Sequence, residues 1–109
     1  MGLSGQRTLK YLNFERSEGD DGVYTLEAVA STLAAHHGAV MDEVACVLDW
    51  ARQRFAHTRG PVEDGNDWDH DLQVVVEGGR WHTVSLTITG SQRFADDWLV
   101  AWGGDNAHT

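Results

Sequence analysis

The sequence predicts a two-layer α+β fold, a three-stranded antiparallel sheet in the order β-α-β-β-α with a long helix and a short C-terminal helix on one face. Three observations carry this prediction. Apolar or small residues recur at Leu26, Ala30, Leu33, His37, Val40, Val44, Leu48, Ala51 and Phe55, a mean step of about 3.6 residues, the α-helical period. Two runs, Leu72 to Glu77 and His82 to Thr89, alternate in polarity on either side of Gly78 and Gly79, the pattern of two strands joined by a hairpin. Phe94, Trp98 and Trp102 fall four apart between Ser91 and the glycines at 103 and 104, which reads as a capped, glycine-stopped amphipathic helix.

The first strand is expected over Thr8 to Glu15, where Leu9, Tyr11, Leu12 and Phe14 precede a polar turn from Ser17 to Gly22. The helical run follows from Thr25 to Phe55. At about 1.5 Å per residue it would extend roughly 46 Å, longer than a chain of this size is wide. Ser31 and Thr32 can cap, and Gly38 costs about 1 kcal/mol inside a helix. A break between positions 31 and 38 is therefore predicted, after a short leading helical segment. Residues His57 to His70 show neither period and read as a long loop, a length usually reserved for function or disorder. The tail to Thr109 is polar and expected to fray.

Parity fixes the hairpin. A two-residue Gly78-Gly79 loop would oppose Val74 to Thr83 and put the apolar rows on opposite faces of the sheet. Uniting them requires an odd-length loop or bulge, for instance Gly78 to Arg80 with Val76 opposite His82. The third strand, with Val84, Leu86 and Ile88, is expected in the centre, antiparallel to both neighbours. Such an order resembles the first five elements of a ferredoxin-like fold, a likeness of topology that implies no activity.

Composition narrows the function. The 109 residues are 41% hydrophobic, enough for one core and hence a single domain over 1–109. Seventeen acidic against eight basic side chains give a formal charge of −9, which repels phosphate backbones and anionic lipid. Nucleic acid and membrane are thus excluded as expected partners. No run approaches the ~20 apolar residues of a membrane span, and Met1 to Lys10 lack a secretion signal, so a soluble cytoplasmic protein is expected. Cys46 stands alone; it can form no internal disulfide, and its helical neighbours Asp42, Glu43 and Asp49 would raise its pKa rather than activate it. No nucleophile elbow or phosphate-binding glycine loop is present. The sequence thus leans away from enzymes, and no cofactor is implied.

Two candidate sites remain. Glu63, Asp64, Asp67, Asp69, His70 and Asp71 crowd oxygen ligands and one imidazole into nine positions, which suits a hard divalent cation. The spacing of Asp67, Asp69 and Asp71 opens like an EF-hand loop, but Leu72 and Gly78 occupy the positions of its glycine and bidentate glutamate. A solvated acidic loop that caps backbone amides is the competing reading. Among the histidines, His37 and His82 lie on apolar rows and read as core or sheet-end residues, while His57, His70 and His82 could converge at one end of the sheet.

The second candidate is the sheet face away from the helices, where parity places Trp81 and Val75 and where Tyr11 is also expected. Aromatics ringed by polar residues compose a binding patch. The leading expectation is a non-enzymatic, inhibitor- or immunity-like protein-binding module that docks a protein partner, in particular a basic one, through Tyr11, Trp68, Trp81, Asp67, Asp69 and Asp71. The alternative is a homodimer through the open faces that encloses a small-molecule pocket or cofactor-free enzyme site, lined by Tyr11, Trp81 and His82. Metal binding by residues 63–71 is the third expectation.

Overall fold

A computed structural model describes residues 9–19 and 21–102 of the chain; the expected tail, its stopping glycines and His108 lie outside them. The elements are strands β1 (Glu15–Glu18) and β2 (Tyr24–Leu33), helix α1 (Ala34–Arg54), a 3-10 turn (Val62–Asp64), strands β3 (Trp68–Glu77) and β4 (Trp81–Gly90), and helix α2 (Gln92–Trp102). The class is α+β, as predicted, but the sheet has four strands in the order β1-β2-β4-β3, every neighbouring pair antiparallel. The three-stranded β-α-β-β-α arrangement is therefore corrected to β-β-α-β-β-α, and the partial ferredoxin-like likeness falls with it.

Two local corrections account for the difference. The segment expected as the leading part of the helical run is β2. In it Tyr24, Leu26, Ala28 and Ala30 are buried while Glu27, Val29 and Ser31 are exposed, a period of two with β-branched Thr25, Val29 and Thr32 interspersed. The chain passes straight from Leu33 into α1, whose Val40, Val44, Val47, Leu48 and Ala51 are buried, so the predicted break between 31 and 38 is a change of secondary structure. The segment expected as the first strand is instead an irregular arm over residues 9–14 that bends at Lys10 and Tyr11. Glu43 of α1 accepts hydrogen bonds from the backbone N–H groups of Lys10 (2.7 Å), Tyr11 (3.0 Å) and Leu12 (2.9 Å), seating buried Leu12 in the core.

The hairpin closes as parity requires. Val74 pairs with Val84, Val76 with His82 and Glu77 with Trp81, leaving Gly78 to Arg80 as a three-residue loop in which Gly78 and Gly79 take positive φ. The valine and isoleucine rows consequently share the face that α1 and α2 cover.

At the far end of that face lies an aromatic core. Trp68 and Phe94 stack with centroids 5.8 Å apart and planes 12° from parallel, and Trp50 of α1 meets Phe94, Trp98 and Trp102 of α2 edge to face. Gly90, paired with both Tyr24 and Trp68, lets the Phe94 ring lie directly on the strand. A Cβ there would sit 2.5 Å from the ring. As expected, Ser91 caps α2: its hydroxyl accepts the Phe94 N–H (3.2 Å) and donates to Asp67 (2.9 Å).

Candidate functional site: the open face of the sheet

Side chains of odd number on β2, β3 and β4 point away from both helices, because the even side chains Leu26, Ala28, Trp68, Val84, Leu86 and Ile88 are buried beneath them. The register sets them in five rows across the sheet. Leu33, Trp81 and Glu77 form the first, then Ser31, Thr83 and Val75, then Val29, Ser85 and Gln73. Below them lie Glu15, Glu27, Thr87 and Asp71, and last Ser17, Thr25, Thr89 and Asp69.

The upper rows are apolar and exposed: Val29 (57%), Val75 (50%), Trp81 (43%) and Leu33 (36%) retain much of their surface. A polar thread crosses them, with the Ser31 and Thr83 hydroxyls 3.0 Å apart and Thr83 donating to Glu77 at 3.1 Å. The lower rows are acidic. Glu15 stands directly opposite Glu27, an arrangement that like charges disfavour. Among the described residues only Asp69 has a basic partner on this face, Arg59 at 3.7 Å.

The residues singled out in the sequence separate. Trp81 and, at the acidic end, Asp69 and Asp71 lie on the open face. Tyr11 does not: it packs against the covered core, its hydroxyl 3.4 Å from His36 Nδ1 on α1. Trp68 is fully buried, with Nε1 donating to the Phe55 carbonyl at 3.3 Å, and so presents no surface to a partner. Asp67 ties the end of the 55–67 connection to α2 through Ser91 and Arg93.

The acidic run is strand from Trp68 onward. In the run Asp67 to Leu72, Trp68, His70 and Leu72 turn toward the helices and the aspartates alternate with them, so the calcium-like spacing is β periodicity. His70 faces the side opposite to Asp69 and Asp71, Asp64 is exposed on the 3-10 turn, and the side chain of Glu63 lies outside the described residues. Among the described residues no three His, Cys, Asp or Glu side chains gather as a metal-binding group. His57, His70 and His82 do not converge either. His70 pairs along β4 with Ile88 and His82 sits at the opposite end, where its ring lies 4.7 Å from that of His37. Of the lining proposed for a dimeric pocket, Tyr11, Trp81 and His82, only Trp81 is on the open face. Sequence reasoning missed Leu33, Val29 and Glu27, which a period-two reading of residues 24–33 would have found, and Glu15, which pairs with Glu27 from β1.

Two titrating groups brace this end of the sheet. Burial, then the charges of Arg59 and Arg52, hold the His70 imidazole below its ordinary pKa of 6.5; Arg59 donates to its Nδ1 at 3.3 Å. For Asp67, burial pushes the pKa up, but hydrogen bonds from Ser91 and Arg93 and the charge of Arg93 outweigh it, leaving the carboxyl below 3.8. Both shifts make the folded state bind protons less readily than the unfolded chain, so both remove stability as pH falls. The His70 contribution is present above pH 6.5 and disappears between there and its folded value; that of Asp67 disappears only below 3.8. Thermal unfolding followed between about pH 7.5 and about pH 5 is expected to show a larger loss for the native chain than for His70→Gln. Equal slopes for the two chains would contradict the burial of this imidazole.

No family model, curated protein sequence or solved structure matches the chain.

Proposed function

We propose that this chain is a non-enzymatic binding domain that receives a basic protein on the open face of its sheet. One observation carries the reading. Exposed Leu33, Trp81, Val75 and Val29 adjoin a block of carboxylates, Glu15, Glu27 and Asp71, that no described basic side chain neutralises. An apolar patch supplies the burial that holds a complex together, and an uncompensated acidic rim steers and orients a cationic partner. A partner of matching chemistry carries Lys or Arg beside an aliphatic or aromatic anchor.

The immobilised chain is expected to retain a basic protein that the Glu27→Gln/Asp71→Asn variant holds about tenfold more weakly, mainly through slower association. Trp81→Ala is expected to weaken the reconstituted complex by about 2 kcal/mol, the scale of a central aromatic contact. Calorimetry with the identified, purified partner at low and high salt measures both effects. Affinity indifferent to salt and to both variants would refute the proposal.

A further inference from the structure

The two edges of the sheet differ in kind. β1 is four residues long and exposed throughout, with Glu15, Arg16 and Glu18 along it, a short charged edge of the sort that discourages pairing. β3 has ten residues, neither lysine nor proline, and an unbroken register with β4. Near its end Val74 (43%), Val75 (50%) and Val76 (52%) are exposed on both faces at once, so neither the helical layer nor a ligand on the open face alone would cover them.

Backbone direction along β3 shows what this edge can accept. The Trp68 carbonyl accepts from Gly60 N–H at 2.8 Å, and its own N–H reaches the Thr58 carbonyl at 3.4 Å; both groups point away from β4. With the register unbroken, the outward direction recurs at His70, Leu72, Val74 and Val76. The His70 N–H is taken by the Asp69 carboxylate at 2.9 Å. At Leu72, Val74 and Val76 no described residue takes the outward N–H and C=O groups. The edge is sealed at its start and open over its valines.

We infer that this open edge pairs antiparallel with the same edge of a second copy of the chain, around a two-fold axis at Val75. In that register Val74 faces Val76 of the second copy and Gln73 faces Glu77, beyond which the chain turns away into the Gly78 to Arg80 loop. No carboxylate opposes a carboxylate despite the net charge of −9. Moving the axis to Val74 would oppose Asp71 to Glu77 twice; moving it to Val76 would set Val74 against glycine. The paired stretch from Gln73 to Glu77 lies clear of the segment at 58–60, which occupies the edge at Trp68, so the second copy does not displace it. Because the outward groups lie on even residues, Val75 meets its copy as a non-hydrogen-bonded pair, with Cα atoms about 4.5 Å apart.

The contact is smaller than the roughly 800 Å² per partner of a standard stable interface, so a weak, concentration-dependent dimer is expected. Sedimentation of the full chain between about 10 µM and about 1 mM should show monomer and dimer in exchange. Val75→Lys, which sets like charges across the axis, and Val74→Pro, which deletes an outward N–H with no partner in the chain, are each expected to weaken the dimer at least about tenfold. Gln73→Lys, opposite Glu77, should tighten it. Circular dichroism of each variant verifies that the monomer fold persists. In a Cys46→Ser background, Val75→Cys should cross-link to itself on mild oxidation, at a spacing within disulfide reach, whereas Val29→Cys on the open face should not. A monomer at every concentration, a dimer untouched by Val75→Lys, or equal cross-linking at position 29 overturns the inference. Val74→Pro separates this dimer from the proposed docking of a basic protein, because Val74 lies on the other face of the sheet and the substitution leaves Leu33, Trp81, Val75, Val29, Glu27 and Asp71 in place.

Discussion

Replacing Trp68 with alanine is expected to lower the unfolding free energy by about 4 kcal/mol, a large share of the roughly 5–15 kcal/mol that stabilises a typical domain. The indole is fully buried, lies against Phe94 on one side of its surroundings and near His70, 5.9 Å between centroids, on another, and donates its N–H to Phe55. Removing it leaves a cavity between β3 and α2 and leaves the Phe55 carbonyl only the long bond from the Thr58 N–H (3.4 Å). Trp68→Phe retains a ring and loses the hydrogen bond, so about 1–2 kcal/mol is expected for it. Urea unfolding of both variants measures the difference. An alanine variant within about 1 kcal/mol of the native chain would be incompatible with the burial described. The phenylalanine variant also separates core from surface, since it should bind a partner on the open face as the native chain does.

The second large effect is expected at Glu43. Its carboxylate collects three backbone N–H groups from the arm at residues 10–12, and a hydrogen bond to a charged group contributes about 1.5–3 kcal/mol. The three share one carboxylate and one ordered segment, so Glu43→Ala should cost about 3 kcal/mol in total rather than their sum. Its signature is local: amide exchange of Lys10, Tyr11 and Leu12 should accelerate strongly, while the β3–β4 ladder keeps its protection relative to the lowered global stability. Unchanged exchange at these amides would show that the carboxylate does not hold the arm.

The parts legible in the sequence were those where one period fits the residues and the other does not. Val74, Val84, Leu86 and Ile88 satisfy only alternation, and the parity argument built on them gave the three-residue loop from Gly78 to Arg80. Along α1, Val40, Val44, Leu48 and Ala51 satisfy only the helical spacing. The misreading of β2 arose where the two coincide. Leu26 and Ala30 lie four apart, which is two strand repeats and nearly one helical turn, so this pair cannot distinguish them; exposed Leu33 was the residue that belonged to neither core row. Tyr24 and Ala28, buried in the same row, would have settled it, but a small alanine signals burial weakly. The acidic residues misled for a chemical reason. Asp67, Asp69 and Asp71 are ligands by type, whereas their spacing is the solvent side of a strand whose other side carries Trp68, His70 and Leu72. The arm at 9–14 has the apolar content of a strand, but its amides go to a side chain on α1, a long-range partner that no local pattern announces.

The order β1-β2-β4-β3 has a consequence for how the molecule comes together. The chain is laid down as two successive units, each a hairpin followed by a helix, and β2 of the first meets β4 of the second along the midline. Each hairpin closes between near neighbours, in microseconds, while the midline ladder joins the most distant stretches and bears nearly all of the loop-closure entropy. Assembly is thus expected to be limited by the meeting of the two units along this ladder. A cut in the connection between α1 and β3 would convert that meeting into an encounter of two molecules, with the same seam between them and a rate set by how often the halves collide.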